Sequence, residues 1–144
     1  MDALKLAQHC DEIFDLQNAK LAEEYFYQSL PLCVIDAVFS IGVRYSSTQN
    51  VVRRYCDYFN LLRTRAEPNL LPAINTQEPI SSLVKQIDDM GVGYFTDKIF
   101  CNKQRTSPQN GILKTEAVYK FAKVLCMSNV QTFQDVHRIS NSGK

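Results

Sequence analysis

The segment Met90-Gly91-Val92-Gly93, in which two glycines flank a valine, has a pattern that could bind phosphate. Apolar residues at helical spacing lie on both sides of it, which predicts a sharp turn between two helices. Backbone amides at the start of the second helix would point outward and could donate hydrogen bonds to a phosphate oxygen. The same pattern is typical of a glycine that only caps one helix and joins it to an antiparallel neighbour. Gly91, Val92 and Gly93 are therefore candidate ligand contacts or a structural joint.

Basic side chains are concentrated in two segments that could bind a polyanion. Residues 44–65 contain five arginines and one acid, Asp57, and residues 98–123 contain six bases and one acid, Glu116. If the segments meet in the fold, they form one positive surface that attracts a polyanion through counterion release. The alternative is two solvated faces that never meet. The candidates for this surface are Arg53, Arg54, Asn102, Lys103, Arg105, Thr106, Ser107 and Lys114.

Catalytic and metal-binding groups do not assemble into a recognisable motif. Asp36 lies in an apolar stretch, where its carboxyl group needs a hydrogen-bond partner, and we expect an arginine such as Arg44 in that structural role. The alternative, a small enzyme that uses Asp36, lacks a partner acid, base or metal in the sequence. His9 and His137 are the only histidines and lack a paired ligand spacing, so neither a metal nor a cofactor is predicted. Five widely spaced cysteines are expected to be free thiols packed in or beside the core, namely Cys10, Cys33, Cys56, Cys101 and Cys126.

Helices are the elements that must position these residues, since apolar spacing of three and four recurs along the chain. An acidic helical segment over residues 1–30 precedes a helix at 32–41 that is apolar nearly all round and therefore central. Serines and threonine at 46–48 offer N-caps for the next helix. The inward face of that helix is predicted to be Val51, Val52, Tyr55, Cys56, Phe59 and Leu62.

The second half of the chain begins with a proline-rich surface loop at residues 66–79. Helical spacing resumes at Ile80 and continues on both sides of the glycine segment. A strong helix follows at 112–127, and a short turn at 132–139 is anchored by Phe133 and Val136. The helix at 112–127 is expected to bury Leu113, Ala117, Phe121, Val124 and Leu125. We predict one all-α domain, a compact multi-helix orthogonal bundle.

The order of these segments resembles the amino-terminal and middle part of the helix-hairpin-helix DNA glycosylase superfamily, the helical fold of endonuclease III. The glycine segment at 90–93 looks like a helix-hairpin-helix turn. Residues 102–107 with 111–114, which we call the basic loop, are similar to a stretch of an uncharacterised glycosylase-like branch. The resemblance rests on residues 31–40, 46–52, 102–107, 111–114, 110–118 and 130–136, and spans about residues 30–139. It implies a DNA-contacting role in DNA repair.

The resemblance carries over no catalytic residue. In the superfamily, the main DNA-binding hairpin and the catalytic aspartate lie downstream of the stretch that residues 130–136 resemble, and this chain ends at Lys144. We therefore expect a truncated or split member without complete base-excision chemistry, whose partner is DNA or a missing carboxy-terminal half.

The alternative hypothesis is a non-enzymatic protein-interaction module that docks through an apolar stripe of the acidic first helix. That stripe is Leu6, Ile13, Leu21 and Tyr25.

Whichever function holds, no apolar run approaches the ~20 residues that span a bilayer. Together with cysteines that we expect to be reduced, this predicts a soluble, cytoplasmic protein with no membrane partner.

Overall fold

The computed structural model describes residues 26–142, which form six α-helices and the loops between them. The helices are α1 Leu30–Phe39, α2 Tyr45–Phe59, α3 Ile80–Met90, α4 Val92–Tyr94, α5 Lys114–Met127 and α6 Phe133–Ser142. α4 continues directly into a π-helix at Phe95–Phe100, and a 3₁₀ turn occupies Ile74–Thr76. In place of strands, this part of the chain has two isolated bridges, Tyr27 with Thr64 and Arg105 with Leu113. The predicted all-α fold is confirmed, while the stripe from Leu6 to Tyr25 lies outside the described residues.

α1 is the central helix, as its apolar sequence predicts. Every residue except Ala37 is buried, and the helix contacts α2, α3 and α5. Pro31 lies in the first turn, where a missing amide costs no intrahelical hydrogen bond. The helix ends earlier than predicted, so Ile41 lies beyond it and is half-exposed.

An aromatic cluster holds the π-helix against α1 and α2. The ring of Phe100 lies edge-on to Phe39 and to Phe95, with centroids 5.0 Å apart in both pairs. Tyr55 of α2 lies 6.1 Å from Phe100 between centroids. Edge-to-face packing of buried rings stabilises a fold beyond the apolar area that it covers. The cluster therefore fixes the segment that carries Gly93 and Tyr94 on the outside of the molecule.

The boundaries of α2 correct two predictions. The helix starts at Tyr45, so the hydroxyl residues at 46–48 lie inside its first turn and do not cap it. At the other end Asn60 adopts a left-handed conformation with φ of 54°, which stops the helix. Leu62, predicted to face inward, therefore lies beyond the helix and is 62% exposed. The predicted residues Val51, Val52, Tyr55 and Cys56 are buried, and Phe59 packs against the core.

The buried face of α5 is rotated by about one residue from the prediction. Its fully buried side chains are Lys114, Thr115, Val118, Ala122 and Leu125, whereas Ala117, Phe121 and Val124 are only partly buried. Two polar residues take positions on the inner face because each has a buried partner. The Thr96 hydroxyl donates to Thr115 Oγ1 at 2.8 Å, and Lys114 reaches across to the end of α1. The α5 sequence alone does not reveal these partners.

The proline-rich residues 66–79 form a loop that is mostly exposed, as predicted, apart from Gln77. This buried side chain donates to Gln134 Oε1 at 2.8 Å and accepts from the Phe133 amide at 3.2 Å. The loop is thereby fastened to the start of α6. The predicted short turn at 132–139 is a helix that extends to Ser142, and its anchors Phe133 and Val136 are buried as expected.

Candidate nucleic-acid interface

The loop between the π-helix and α5 folds back on itself and fixes the basic residue Arg105. The Thr106 amide donates to Ile112 O at 2.9 Å, and Arg105 bridges to Leu113. The turn is tight at Gly111, where an added Cβ would lie 2.3 Å from the backbone of Ser107. Arg105 Nη1 donates to Gly111 O at 2.8 Å. The guanidinium group is thus held over the loop while its residue stays exposed.

Polar side chains of this loop also form hydrogen bonds within it. Asn102 Oδ1 accepts from the Gln104 amide at 2.8 Å, and Thr106 Oγ1 accepts from the Ile112 amide at 3.2 Å. Ser107 Oγ donates to Gln109 O at 2.7 Å. Asn102, Thr106 and Ser107, which the sequence suggests as ligand contacts, therefore shape the loop that carries the basic residues.

Lys114 lies in the interior of the fold, although the sequence made it a candidate for the positive surface. Its side chain is 1% exposed, and Nζ donates to Phe39 O at 3.0 Å, Ile41 O at 2.7 Å and Gln104 Oε1 at 3.3 Å. Burial lowers the pKa of this ammonium group. A cation at the carboxyl end of a helix is favoured by the exposed carbonyls and the helix dipole. Lys114 ties the loop to the end of α1.

Two shallow depressions adjoin at Arg105. The first, of about 390 Å³, is lined by Gly93, Thr96, Asp97, Lys103, Arg105 and Leu113. The second, of about 380 Å³, lies between residues 41–43 and the loop at 104–108, with Lys114 at its wall. The first depression brings together the glycine segment and the basic loop, which the sequence left as separate candidates.

Arg54 on α2 reaches towards the loop that joins the π-helix to α5. Its Nη1 donates to Phe100 O at 3.0 Å and to Cys101 O at 3.4 Å, across a sequence distance of more than forty residues. The neighbouring Arg53 donates instead to Asn50 on its own helix at 3.4 Å. The structure therefore joins Arg54, but not Arg53, to the segment that carries Lys103.

The charge of this surface is largely uncompensated. Lys103 Nζ lies 3.8 Å from Asp97 Oδ1, and both side chains are more than half exposed. Within residues 26–142, neither Arg54 nor Arg105 has a carboxylate within 4 Å. Exposed ion pairs of this length contribute little, so Lys103 is available to another anion. We define Arg54, Lys103, Arg105 and Gly93 as the basic surface.

The glycine segment contains one glycine that the backbone requires and one that it does not. Gly91 ends α3 with φ of 87°, a conformation that favours glycine. Its amide donates to Ile87 O at 2.7 Å, and its carbonyl accepts from the Phe95 amide at 3.1 Å. Gly93 lies in α4, and a Cβ added there would meet no atom within 4 Å. Gly91 is therefore a helix cap, while Gly93 is an exposed, open position at the edge of the first depression.

Two exposed tyrosines lie beside the basic surface and were missed at the sequence level. Tyr58 of α2 and Tyr94 of α4 are each 45% exposed, and their hydroxyl oxygens are 3.1 Å apart. That hydrogen bond raises the pKa of Tyr58. The spacing of Arg54 and Tyr58, one helical turn apart, is the sequence signal that could have placed an aromatic ring near the arginine.

Asp36 is bound by tyrosines rather than by the expected arginine. Asp36 Oδ2 accepts from Tyr27 Oη at 2.5 Å and from Tyr45 Oη at 2.7 Å, and Oδ1 accepts from Ser40 Oγ at 3.1 Å. The carboxyl group is 4% exposed and lines neither depression. Arg44 is exposed and pairs with no carboxylate in the described part of the chain. We therefore assign Asp36 to the interior and not to the interface.

Cysteine placement partly follows the expectation of thiols in the core. Cys33 and Cys56 are buried, and neither forms a disulfide bond within residues 26–142; burial raises the pKa of Cys56 to about 11. Cys101 departs from it, because this residue is exposed and has a left-handed φ of 49° after the π-helix. Cys10 lies outside the described residues. Among residues 26–142, no three His, Cys, Asp or Glu side chains are grouped so that they could hold a metal ion.

None of the helices between residues 26 and 142 has the length and apolar character needed to cross a membrane. Comparison with protein families identifies the family of this chain. Neither a curated protein nor a solved structure matches the chain. Residues 4–144 match the family described as Domain of unknown function (DUF8548), and the chain therefore belongs to that family.

Proposed function

We propose that this chain binds DNA through phosphate contacts on the basic surface. The observation that carries the proposal is the shared depression in which Lys103 and Arg105 lie beside the open backbone of Gly93. Lysine and arginine side chains contact phosphate oxygens in DNA-binding proteins, and a glycine without neighbours lets a phosphate approach the main chain. The resemblance to the helix-hairpin-helix glycosylases supports the same ligand. A cytoplasmic location is part of this proposal.

The charge balance favours a polyanion over a single small anion. The basic residues belong to α2 and to the loop before α5, and the contacts of Arg54 with Phe100 and Cys101 connect these elements. Each contacted phosphate releases condensed counterions, which gives affinity without sequence preference. The proposed function is therefore backbone binding that positions DNA, and it includes no base-excision step by the described residues.

Binding to two duplexes of unrelated sequence tests the proposal. Fluorescence anisotropy at low salt should detect both complexes with similar affinity. The double variant Lys103→Ala with Arg105→Ala should bind both duplexes more weakly by the same factor. Between roughly 50 and 200 mM salt, its slope of log affinity against log salt should be shallower by about 0.9 for each lost contact.

A matched control removes the same charge elsewhere. Lys85 and Lys120 are exposed and form ion pairs with Asp89 and Glu116 on their own helices. Lys85→Ala with Lys120→Ala should leave the affinity for DNA nearly unchanged. The proposal is wrong if neither duplex is bound at low salt, or if the control variant loses as much affinity as the test variant.

A further inference from the structure

The tyrosine pair at the edge of the basic surface is an aromatic site outside the core. Tyr58 and Tyr94 come from different helices, and their hydroxyl groups hydrogen-bond to each other at 3.1 Å. Nearly half of each residue remains exposed. Phe59 packs edge-on against Tyr58, with centroids 4.9 Å apart. The two rings are therefore held in place on the surface, so a ligand would bind them at a small cost in side-chain entropy.

Positive charge flanks the pair on both helices. Arg54 precedes Tyr58 by one turn of α2, so the two share a face of that helix. Lys98, exposed in the π-helix, follows Tyr94 by four residues. Gly93, next to Tyr94, lines the first depression together with Lys103. Basic side chains therefore occur on both elements that carry the rings, and a phosphate strand that contacted them would pass close to the pair.

This combination of rings and charge selects one kind of ligand over an apolar protein surface. An apolar partner would require the guanidinium and ammonium groups around the rings to lose water without gaining a counterion. A nucleotide satisfies both features, because its base stacks on an aromatic ring while its phosphate pairs with the cation. Bases inside a duplex are already stacked and cannot use the rings. The site therefore fits an unpaired strand.

We propose that Tyr58 and Tyr94 form a stacking site for unpaired bases of single-stranded DNA, with Arg54, Lys98 and Lys103 contacting the phosphates. This inference rests on the proposed function and names its ligand more closely. It requires that the tyrosines affect binding to a single strand and not to a duplex. The basic surface, by contrast, affects binding to both.

The test compares a labelled oligodeoxythymidine with a duplex of the same length in anisotropy titrations. Wild type should bind the single strand more tightly. Tyr58→Ala and Tyr94→Ala should each lower single-strand affinity by at least about fivefold, as expected for the loss of one stacked base. The same variants should leave duplex affinity nearly unchanged. Tyr58→Phe, which keeps the ring, should retain single-strand binding even if the alanine variant folds poorly.

A third tyrosine provides the control. Tyr119 on α5 donates a hydrogen bond to the Asp88 carboxylate, and the ammonium group of Lys123 covers one face of its ring at 4.2 Å from the centroid, which leaves that face closed to a base. Tyr119→Ala should therefore bind the oligodeoxythymidine as wild type does. Circular dichroism melting of each variant separates a loss of stacking from a loss of fold.

The outcomes distinguish this inference from the function on which it rests. If wild type binds the duplex as tightly as the single strand, or if the tyrosine variants weaken both ligands equally, the stacking site is overturned and phosphate binding stands. Single-strand binding that is unaffected by Tyr58→Ala and Tyr94→Ala overturns it as well. If wild type binds neither ligand, the proposed function fails too.

Discussion

The interior and the basic surface both contain charged side chains, and the charges have opposite roles in the two regions. In the interior, Asp36 and Lys114 are almost inaccessible, and their carboxylate and ammonium groups form hydrogen bonds to neutral tyrosine hydroxyls and backbone carbonyls. On the basic surface, Lys103 and Arg105 are exposed and nearly without compensating carboxylates. Burial makes an unpaired charge costly, whereas exposure makes it cheap. Interior charge therefore organises the fold, and surface charge remains available to a ligand.

The largest effect is expected from Asp36→Ala. This change removes the acceptor for Tyr27 and Tyr45, and hydrogen bonds to a charged group contribute about 1.5–3 kcal/mol each. We expect the free energy of unfolding in urea to fall by at least about 3 kcal/mol. The exposed Asp97→Ala should change it by less than about 0.5 kcal/mol. Equal stabilities of these two variants would contradict the structural role of Asp36.

The second prediction compares Lys114, which is buried, with Lys103, which is exposed. Lys114→Met leaves the carbonyls of Phe39 and Ile41 without their donor, which should lower the free energy of unfolding by about 1–3 kcal/mol. Lys103→Met removes only an exposed cation and should stay within about 0.5 kcal/mol of wild type. Thermal or urea unfolding measures both changes. The assignment of Lys114 to the interior is wrong if the two variants are equally stable.

Alkaline pH should weaken the interior through Tyr27. Burial, together with the neighbouring negative charge of Asp36, raises the pKa of Tyr27 above its ordinary value of 10.0. As pH rises past that value, the unfolded chain releases the phenolic proton while the folded chain keeps it. The contribution of Tyr27 to the free energy of unfolding is therefore complete below pH 10 and decreases as the pH rises above it. Tyr27→Phe should make this decline shallower by up to about 1.4 kcal/mol per pH unit. An unchanged pH dependence of urea unfolding would rule out this contribution.

The smallest effect on stability, and of opposite sign, is expected at Gly93. Its φ is outside the left-handed region and no atom lies near an added Cβ, so alanine fits the helical backbone. Gly93→Ala should raise the free energy of unfolding by about 0.5–1 kcal/mol. If phosphate approaches this backbone, the same variant should bind duplex DNA more weakly. A variant that is more stable and binds DNA as wild type does would remove Gly93 from the interface.

Sequence patterns predicted the helices better than the environment of their polar residues. The apolar run of α1 and the stripe of α2 follow from spacing alone, because burial of an apolar face is a local property of the helix. The burial of Lys114 could not be predicted, since lysine is rarely interior and two of its acceptors, the carbonyls of Phe39 and Ile41, lie more than seventy residues away. The same applies to Asp36, whose tyrosine partners come from two other segments. At the candidate interface, sequence patterns identified Gly93, Lys103 and Arg105, but only tertiary contacts show that they share one depression.

Amide chemical-shift mapping by NMR, with the labelled protein titrated by duplex DNA, tests the assignment of surface charge to a ligand most directly. The amide signals of Gly93, Lys103 and Arg105 should move together and in proportion to the duplex bound. Those of Lys85 and Lys120, whose charges are paired on other helices, should stay in place. Shifts centred on Lys85 or Lys120, or spread evenly over all exposed lysines and arginines, would contradict the account.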